Sequence, residues 1–242
     1  MERLIKILKK VVKEKDCEIL KRHGGGEFYA LNLVKGCPVL LMAHVDIAGG
    51  REGEVKKINE YIYKCIGADD RLGVAIIEYL KEKGYKFSYL LTNFEESGGL
   101  GAEMVTKIEN KSKFKDIRLI IGLDRRGSSH YVSYLESDKD YGEFLEKVGL
   151  FDENIGSYSD CKDISKWIGV WHINIAIGYH NEHTYREYFN IKEVEYAIYV
   201  VENILRNAQS VPKTGLKEDL SIYKWMDYSW SGYKKYYTQR RK

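Results

Sequence analysis

The sequence predicts an α/β protein of three layers, with helices on both faces of a central mixed, mostly parallel sheet. Two observations predict this class. Short apolar runs that suit buried strands alternate along the chain with amphipathic segments of helical period. Ionisable residues directly follow several of these runs, as expected at the carboxyl edge of a parallel sheet, where sites form in such folds.

The first third of the chain is predicted to hold a helix, several strands and a second helix. Residues 1–14 place basic residues among apolar ones at helical spacing. Residues 38–44 form a near-continuous apolar run, which is typical of a buried central strand. The predicted elements are a helix at 1–14, strands at 17–21 and 26–34 around a Gly24–Gly26 turn, a strand at 38–44, a hairpin at 53–65 and a helix at 71–83 that stops at Gly84.

Strands and helices continue to alternate as far as residue 208. The predicted elements are strands at 87–94, 117–123, 130–135 and 171–177, and helices at 99–110, 140–148, 160–168 and 191–208. From Pro212 the pattern breaks into a segment rich in Tyr, Trp and Lys that ends in QRRK. We expect residues 1–211 to form a single catalytic domain and residues 212–242 an appendage packed by its aromatic side chains.

Composition narrows the classes of function. The chain has 242 residues and a net charge of +3, which is too small to imply nucleic acid as a partner. Four scattered cysteines without a C-x-x-C pair indicate free thiols in a reducing compartment, and hence a cytoplasmic location. The N-terminus lacks the apolar core of a signal peptide. No run approaches the ~20 apolar residues that span a bilayer, so no membrane association is expected.

Acidic and histidine residues follow the apolar runs in a regular series. They are His44 and Asp46, Asp69 and Asp70, Glu95 and Glu96, Asp124, and His180 and His183. Each has an ordinary explanation when taken alone, such as a helix N-cap, a solvated loop or a structural histidine. Converging on one rim, however, they would repel each other unless cations lay between them. A pair of divalent metal ions is the simplest arrangement that removes this repulsion.

The combined motifs resemble those of a known superfamily. The series H-x-D, G-A-D-D-R-x-G, E-E-x-G-x-x-G-A, a lone Asp after a strand, and N-x-H-T-x-x-E resembles the co-catalytic di-zinc exopeptidases. That group includes leucyl-type and TET-like aminopeptidases and the peptidase T and glutamate carboxypeptidase relatives. The resemblance covers residues ~38–208 and implies their zinc-dependent exopeptidase fold, which is also described as phosphorylase/hydrolase-like.

The resemblance also implies roles, motif by motif. His44 and Asp124 are expected to bind one metal ion, Glu96 and His183 the other, and Asp69 to bridge the two. Glu95 is expected to act as general base and Asp46 to orient a ligand. His180 competes with His183, which is preferred because Thr184 and Glu187 complete the H-T-x-x-E pattern. The metal ions are expected to be zinc, with cobalt or manganese as alternatives.

These roles predict hydrolysis of a terminal bond in a peptide or amide substrate. We expect an aminopeptidase, with a carboxypeptidase, a dipeptidase or an N-acyl amino acid deacylase as alternatives on the same site. A non-catalytic metal-binding relative and a tail that binds nucleic acid are less expected. Only residues 45–68 separate His44 from Asp69, and only residues 125–182 separate Asp124 from His183. These short intervals predict a minimal catalytic domain without the inserted domains of the larger relatives, and they leave the oligomeric state open.

Overall fold

Strands and helices alternate through most of the chain. The computed structural model describes residues 1–51, 53–133, 139–156 and 158–213. Helices occupy α1 (Glu2–Val11), α2 (Asp16–Arg22), α3 (Ala68–Glu82), α4 (Leu100–Ile108), α5 (Lys139–Val148), α6 (Asp160–Ile168) and α7 (Ile191–Arg206). Strands occupy β1 (Tyr29–Asn32), β2 (Val39–His44), β3 (Glu54–Lys57), β4 (Ile62–Ile66), β5 (Ser88–Thr92), β6 (Leu119–Arg125), β7 (His130–Val132), β8 (Asp152–Glu153), β9 (Trp171–Ala176), β10 (Tyr179–His180) and β11 (Tyr188–Asn190).

The larger sheet has seven strands in the order β1-β5-β2-β6-β9-β7-β8. Its four inner strands β5, β2, β6 and β9 are mutually parallel, whereas β1 and β7 pair antiparallel with their inner neighbours. Every residue of β2 is buried, as the apolar run at 38–44 predicted. Every residue of β9 is buried as well, including the polar His172 and Asn174. The predicted mixed, mostly parallel sheet is therefore confirmed.

Two apolar cores lie on opposite faces of this sheet. Along β2, Val39, Leu41 and Ala43 join the core that contains the buried faces of α1, α3, α5 and α7. The alternate residues Leu40 and Met42 join a second core with α4 and α6. Because successive strand residues point to opposite faces, one strand serves both cores. The expected three-layer architecture is confirmed.

A smaller sheet of four strands, in the order β10-β11-β4-β3, lies at the carboxyl edge of the larger one. The hairpin of β3 and β4 matches the prediction for residues 53–65. Strand β11 pairs antiparallel with β4 and with β10. The loop from β10 to β11 is thereby held next to the turn that joins β4 to α3.

Several predicted elements differ from the observed ones. The strand predicted at 17–21 is wrong, because these residues lie in α2, where Ile19 and Leu20 are buried and the charges suit the helix dipole. The short strands β8, β10 and β11 were not predicted. The strand predicted at 130–135 ends at Val132, and residues 134–138 lie outside the described ranges.

The predicted boundary at residue 211 lies close to the end of the described chain. The appendage falls outside it except for Pro212 and Lys213, so the division into domain and appendage stays a prediction. All four cysteines are free thiols. Within the described ranges, every helix is too short or too polar to cross a membrane.

Candidate metal centre

The predicted site residues come from five parts of the chain that meet at the carboxyl edge of the larger sheet, with Asp46 two residues after His44. His44 is the last residue of β2, and Asp124 is the next-to-last residue of β6. Glu95 and Glu96 lie just beyond β5, in the turn that leads to α4. The two remaining residues come from the loops that the smaller sheet holds together: Asp69 at the start of α3, and His183 between β10 and β11.

One group of three ligand atoms forms around His44. Its Nε2 lies 3.2 Å from Asp69 Oδ1 and 3.5 Å from Asp124 Oδ1. The imidazole is buried, and the two carboxylates are largely so. The ligand atoms of the three residues lie within 4.8 Å of one another, which suits a single cation.

A second group forms around His183 and uses the other oxygen of Asp69. His183 Nε2 lies 3.0 Å from Asp69 Oδ2 and 2.7 Å from Glu96 Oε1. Among the described residues, Glu96 Oε1 is buried and meets no hydrogen-bond donor other than this imidazole. A buried carboxylate oxygen in that state is costly unless a cation compensates it. Together with the mixed imidazole and carboxylate donors, this oxygen fits the two divalent ions that the sequence predicted.

Asp46 connects the first group to the turn that carries both glutamates. Its Oδ1 lies 3.3 Å from His44 Nδ1, the ring nitrogen on the far side from the other carboxylates. The backbone N–H groups of Glu95 and Glu96 donate to Asp46 at 3.1 and 3.0 Å. Burial raises the pKa of Asp46, but the His44 contact and the two N–H donors outweigh it and leave the pKa lowered. The geometry suits the orienting role predicted for this carboxylate.

Glu95 lies beside both groups without belonging to either. One of its oxygens is within 4.8 Å of ligand atoms of His44 and Glu96. Burial, with the nearby carboxylates Asp124, Asp160 and Glu96, raises its pKa to about 9, although His44 opposes the shift. Cations at the two groups would lower this pKa again, because they favour the charged carboxylate.

Asp70 has a different environment from Asp69, to which it is joined by a cis peptide bond. It is fully buried and accepts hydrogen bonds from the backbone N–H groups of His44 at 3.0 Å and Gly73 at 3.2 Å. Asp70 therefore anchors β2 to the start of α3, while Asp69 faces the two histidines.

Among the described residues, three clusters of possible ligand atoms occur: the two groups above and a third of His44, Glu95 and Glu96. His180 belongs to none of them. Its Nε2 is 2.6 Å from Glu193 Oε2, and its ring stacks on Tyr188. His183 is the histidine that the structure brings to Asp69 and Glu96. Its role as a ligand, like those of the other site residues, stays a prediction.

Three side chains that position the predicted ligands through hydrogen bonds were not identified from the sequence. Asn174 on β9 accepts a hydrogen bond from the Asp124 backbone N–H and donates to its carbonyl oxygen. The Tyr179 hydroxyl donates to Asp124 Oδ1 at 3.4 Å. Glu187 accepts hydrogen bonds from the backbone N–H groups of Gly67 and Asp69. Of these three, only Glu187 carried a sequence signal, since it ends the H-T-x-x-E motif.

A cavity of about 610 Å³ adjoins the loops that carry the second group. Ile66, three residues before Asp69, and Tyr185, two residues after His183, form part of its wall. Arg51 also lines it, with its guanidinium over the Tyr185 ring. The volume lies within the range usual for small-molecule sites.

Comparison with known proteins identifies the fold. No family model matches the chain, and no curated protein matches its sequence. Among solved structures it is similar to the aminopeptidase PepT from Bacillus cereus, with a TM-score of 0.67 at 14% identity over 86% of this chain and 98% of that one. The chain shares the fold of a peptidase.

Two further structures support that conclusion. A tripeptidase from Staphylococcus aureus gives a TM-score of 0.64 at 13% identity, covering 86% of this chain and 98% of that one. An aminopeptidase from the archaeon Desulfurococcus kamchatkensis gives a TM-score of 0.61 at 14% identity, covering 89% of this chain and 99% of that one. The peptidase fold implied by the motifs is thereby confirmed.

Proposed function

We propose that this protein is a metal-dependent exopeptidase that hydrolyses a terminal peptide bond, and specifically an aminopeptidase. One observation carries the proposal: two groups of three ligand atoms share the carboxylate of Asp69, and the carboxylate of Glu95 stands beside them. The shared fold with two aminopeptidases and a tripeptidase favours peptide substrates.

Five residues would hold two divalent cations. His44 and Asp124 with Oδ1 of Asp69 make one set, and Glu96 and His183 with Oδ2 of Asp69 make the other. When bound, such ions lower the pKa of a water molecule and stabilise negative charge on a carbonyl oxygen.

Glu95 would transfer the proton. Its carboxylate accepts a proton from the attacking water and delivers it to the nitrogen of the leaving amine. Asp46 holds this glutamate in place through the backbone N–H group, and it holds Glu96 in the same way. Glu95, as proton acceptor, and Glu96, as metal ligand, would therefore keep a fixed position relative to each other. This favours a productive approach of water to the substrate carbonyl.

The neighbouring cavity would take part of the substrate. Its wall includes the apolar side chain of Ile66 and the ring of Tyr185, next to the turn of Asp69 and the loop of His183. Its volume of about 610 Å³ lies within the range usual for small ligands, which suits a short peptide segment or an amide as the part of the substrate bound there.

The test uses the full-length protein reconstituted with zinc and assayed on dipeptides, tripeptides, aminoacyl amides and N-acyl amino acids. Cleavage that requires a free amino terminus is expected. Glu95→Gln should lower kcat by about 10²–10⁴-fold while two zinc ions stay bound, because only proton transfer is lost.

The matched control is Glu143→Gln, which changes an exposed glutamate on α5 and should leave the rate unchanged. Wild-type protein that binds two zinc ions and cleaves nothing on the panel would contradict the proposal. So would a Glu95→Gln variant with wild-type turnover.

A further inference from the structure

Glu187 has one of the most enclosed carboxylates near the metal centre. The residue is 2% exposed, and each of its two oxygens accepts a separate backbone hydrogen bond. The Gly67 N–H donates to Oε2 at 2.8 Å, and the Asp69 N–H donates to Oε1 at 2.7 Å. One side chain thus holds both ends of the short turn from which the shared carboxylate of Asp69 projects.

The backbone of Glu187 extends this link in the other direction. Its carbonyl oxygen accepts a hydrogen bond from the N–H of Cys65 on β4 at 3.1 Å. Its own N–H donates to the Thr184 carbonyl at 3.3 Å, inside the loop that carries His183. Asp69 and His183, which are far apart in sequence, are therefore connected through a single residue.

The His183 loop depends on such a link. The His183 side chain is 51% exposed, and its φ of 61° lies in the left-handed region, which is uncommon for a residue with a side chain. The Thr184 hydroxyl donates to the Asn181 carbonyl at 2.7 Å and shapes the loop internally. These contacts within the loop do not set its distance from α3, whereas the Glu187 contacts do.

The residue type matters at this position. A buried carboxylate is costly, and the two backbone hydrogen bonds offset part of that cost. Glutamine has one acceptor oxygen, and its NH₂ group would face a backbone N–H donor. A residue that merely filled space here would not need two acceptor oxygens, each bound to a different N–H group of one turn.

We propose that Glu187 is a positioning residue that sets the Asp69 carboxylate and the His183 imidazole at the spacing needed for the second cation. The inference rests on the proposed function, since it assigns that cation to Asp69, Glu96 and His183. Glu187 touches no cation itself and acts through the backbone of the turn. Its loss should weaken the cation site at His183 more than the site at His44 and Asp124.

The test is a zinc titration of the full-length apoprotein against a chromogenic chelator. Wild type is expected to bind two zinc ions. Glu187→Gln should retain one tight site and lose about 10–100-fold in affinity at the other, the range seen when residues that orient metal ligands are replaced. His183→Ala provides the reference for complete loss of the second site.

The control is Glu202→Gln, which alters another buried glutamate in an ion pair with Lys83 at the far end of α7. It should bind both zinc ions with wild-type affinity, and thermal unfolding of each apoprotein would show that the variants are folded. Equal weakening in Glu187→Gln and Glu202→Gln, or none in either, would overturn the inference. If Glu187→Gln does not fold, Glu187→Asp takes its place, because the shorter side chain cannot reach both N–H donors. Unchanged zinc binding in Glu187→Asp would then overturn the inference.

These outcomes separate the inference from the proposed function. A wild type that cleaves peptides, with unchanged second-site affinity in the Glu187 variant, refutes the positioning role alone. A wild type that binds two zinc ions but hydrolyses nothing refutes the exopeptidase, while the effect of Glu187 on zinc affinity can still be measured.

Discussion

Replacing Arg71 by methionine should destabilise the fold strongly, although this arginine lies next to the metal-site aspartates in sequence. The residue is 1% exposed, and its guanidinium faces α1 and α2 instead of the candidate metal centre. Nη1 donates to the carbonyl oxygens of Val11 at 2.7 Å and Glu14 at 3.0 Å, and Nη2 contacts Asp16. Methionine keeps most of the apolar stem but supplies none of these donors.

The structure sets the magnitude of this effect. The Glu14 carbonyl loses the Arg71 donor at a cost of about 1–3 kcal/mol if it stays buried. The Val11 carbonyl keeps the Glu14 N–H at 3.2 Å and loses one of its two hydrogen bonds, at about 0.5–1.5 kcal/mol. The Asp16 side chain is 38% exposed and can turn to water, so it adds little. The total is about 3 kcal/mol, which lowers Tm by about 6–12 °C in a protein of this size.

Urea and thermal unfolding of the metal-free protein measure this effect directly. Arg3→Met, at the exposed ion pair with Glu82, is the control and should leave the free energy of unfolding almost unchanged. A loss below 1 kcal/mol in Arg71→Met would refute the reasoning. It would mean that water or a rearranged α1 satisfies the carbonyl oxygens of Val11 and Glu14.

Two further predictions concern stability. Burial lowers the pKa of His172 to about 3. As the pH falls below about 6.5, His172 is protonated in the unfolded chain but not in the folded one, and this stabilises the unfolded state. The free energy of unfolding should therefore decrease by about 2 kcal/mol from pH 7 to pH 5. His172→Asn should remove that part of the pH dependence in urea unfolding, and an unchanged slope would contradict the assignment. Gly73→Ala should cost about 1–3 kcal/mol in thermal unfolding, because its Cβ would lie 2.4 Å from the Leu123 carbonyl. Gly142→Ala, which meets nothing within 4 Å, should instead stabilise α5 by about 0.5–1 kcal/mol; equal effects of the two changes would argue against the clash.

The layers of the fold could be predicted because strand-like and helix-like segments alternate along the chain. The apolar run at 38–44 is buried on both faces in β2, and it is too short for a typical helix. Strands β10 and β11 have two and three residues, too few for a period to be visible. Their pairing depends on β4, which is distant in sequence. Residues 17–21 were assigned to a strand because their one apolar pair, Ile19 and Leu20, fits the period of a strand as well as that of a helix.

The residues of the candidate site could be predicted from their types and their order in the sequence. The hydrogen bonds that position them could not. The sequence placed His44, Asp69 and Asp124 at the ends of elements, and the structure brings them within 4.8 Å. The contacts of Glu187 run to backbone N–H groups, which carry no sequence signature. The G-A-D-D-R-x-G motif also combines two functions that sequence cannot separate: Asp69 faces the metal centre, whereas Arg71 ties α3 to α1 and α2.

The central claim is that two cations share the carboxylate of Asp69. The most direct measurement is anomalous diffraction at the zinc edge from crystals of the zinc-reconstituted full-length protein. We predict two peaks per chain, one among His44, Asp69 and Asp124, and the other among Asp69, Glu96 and His183. A single peak, or two peaks without contact to Asp69, would contradict the claim.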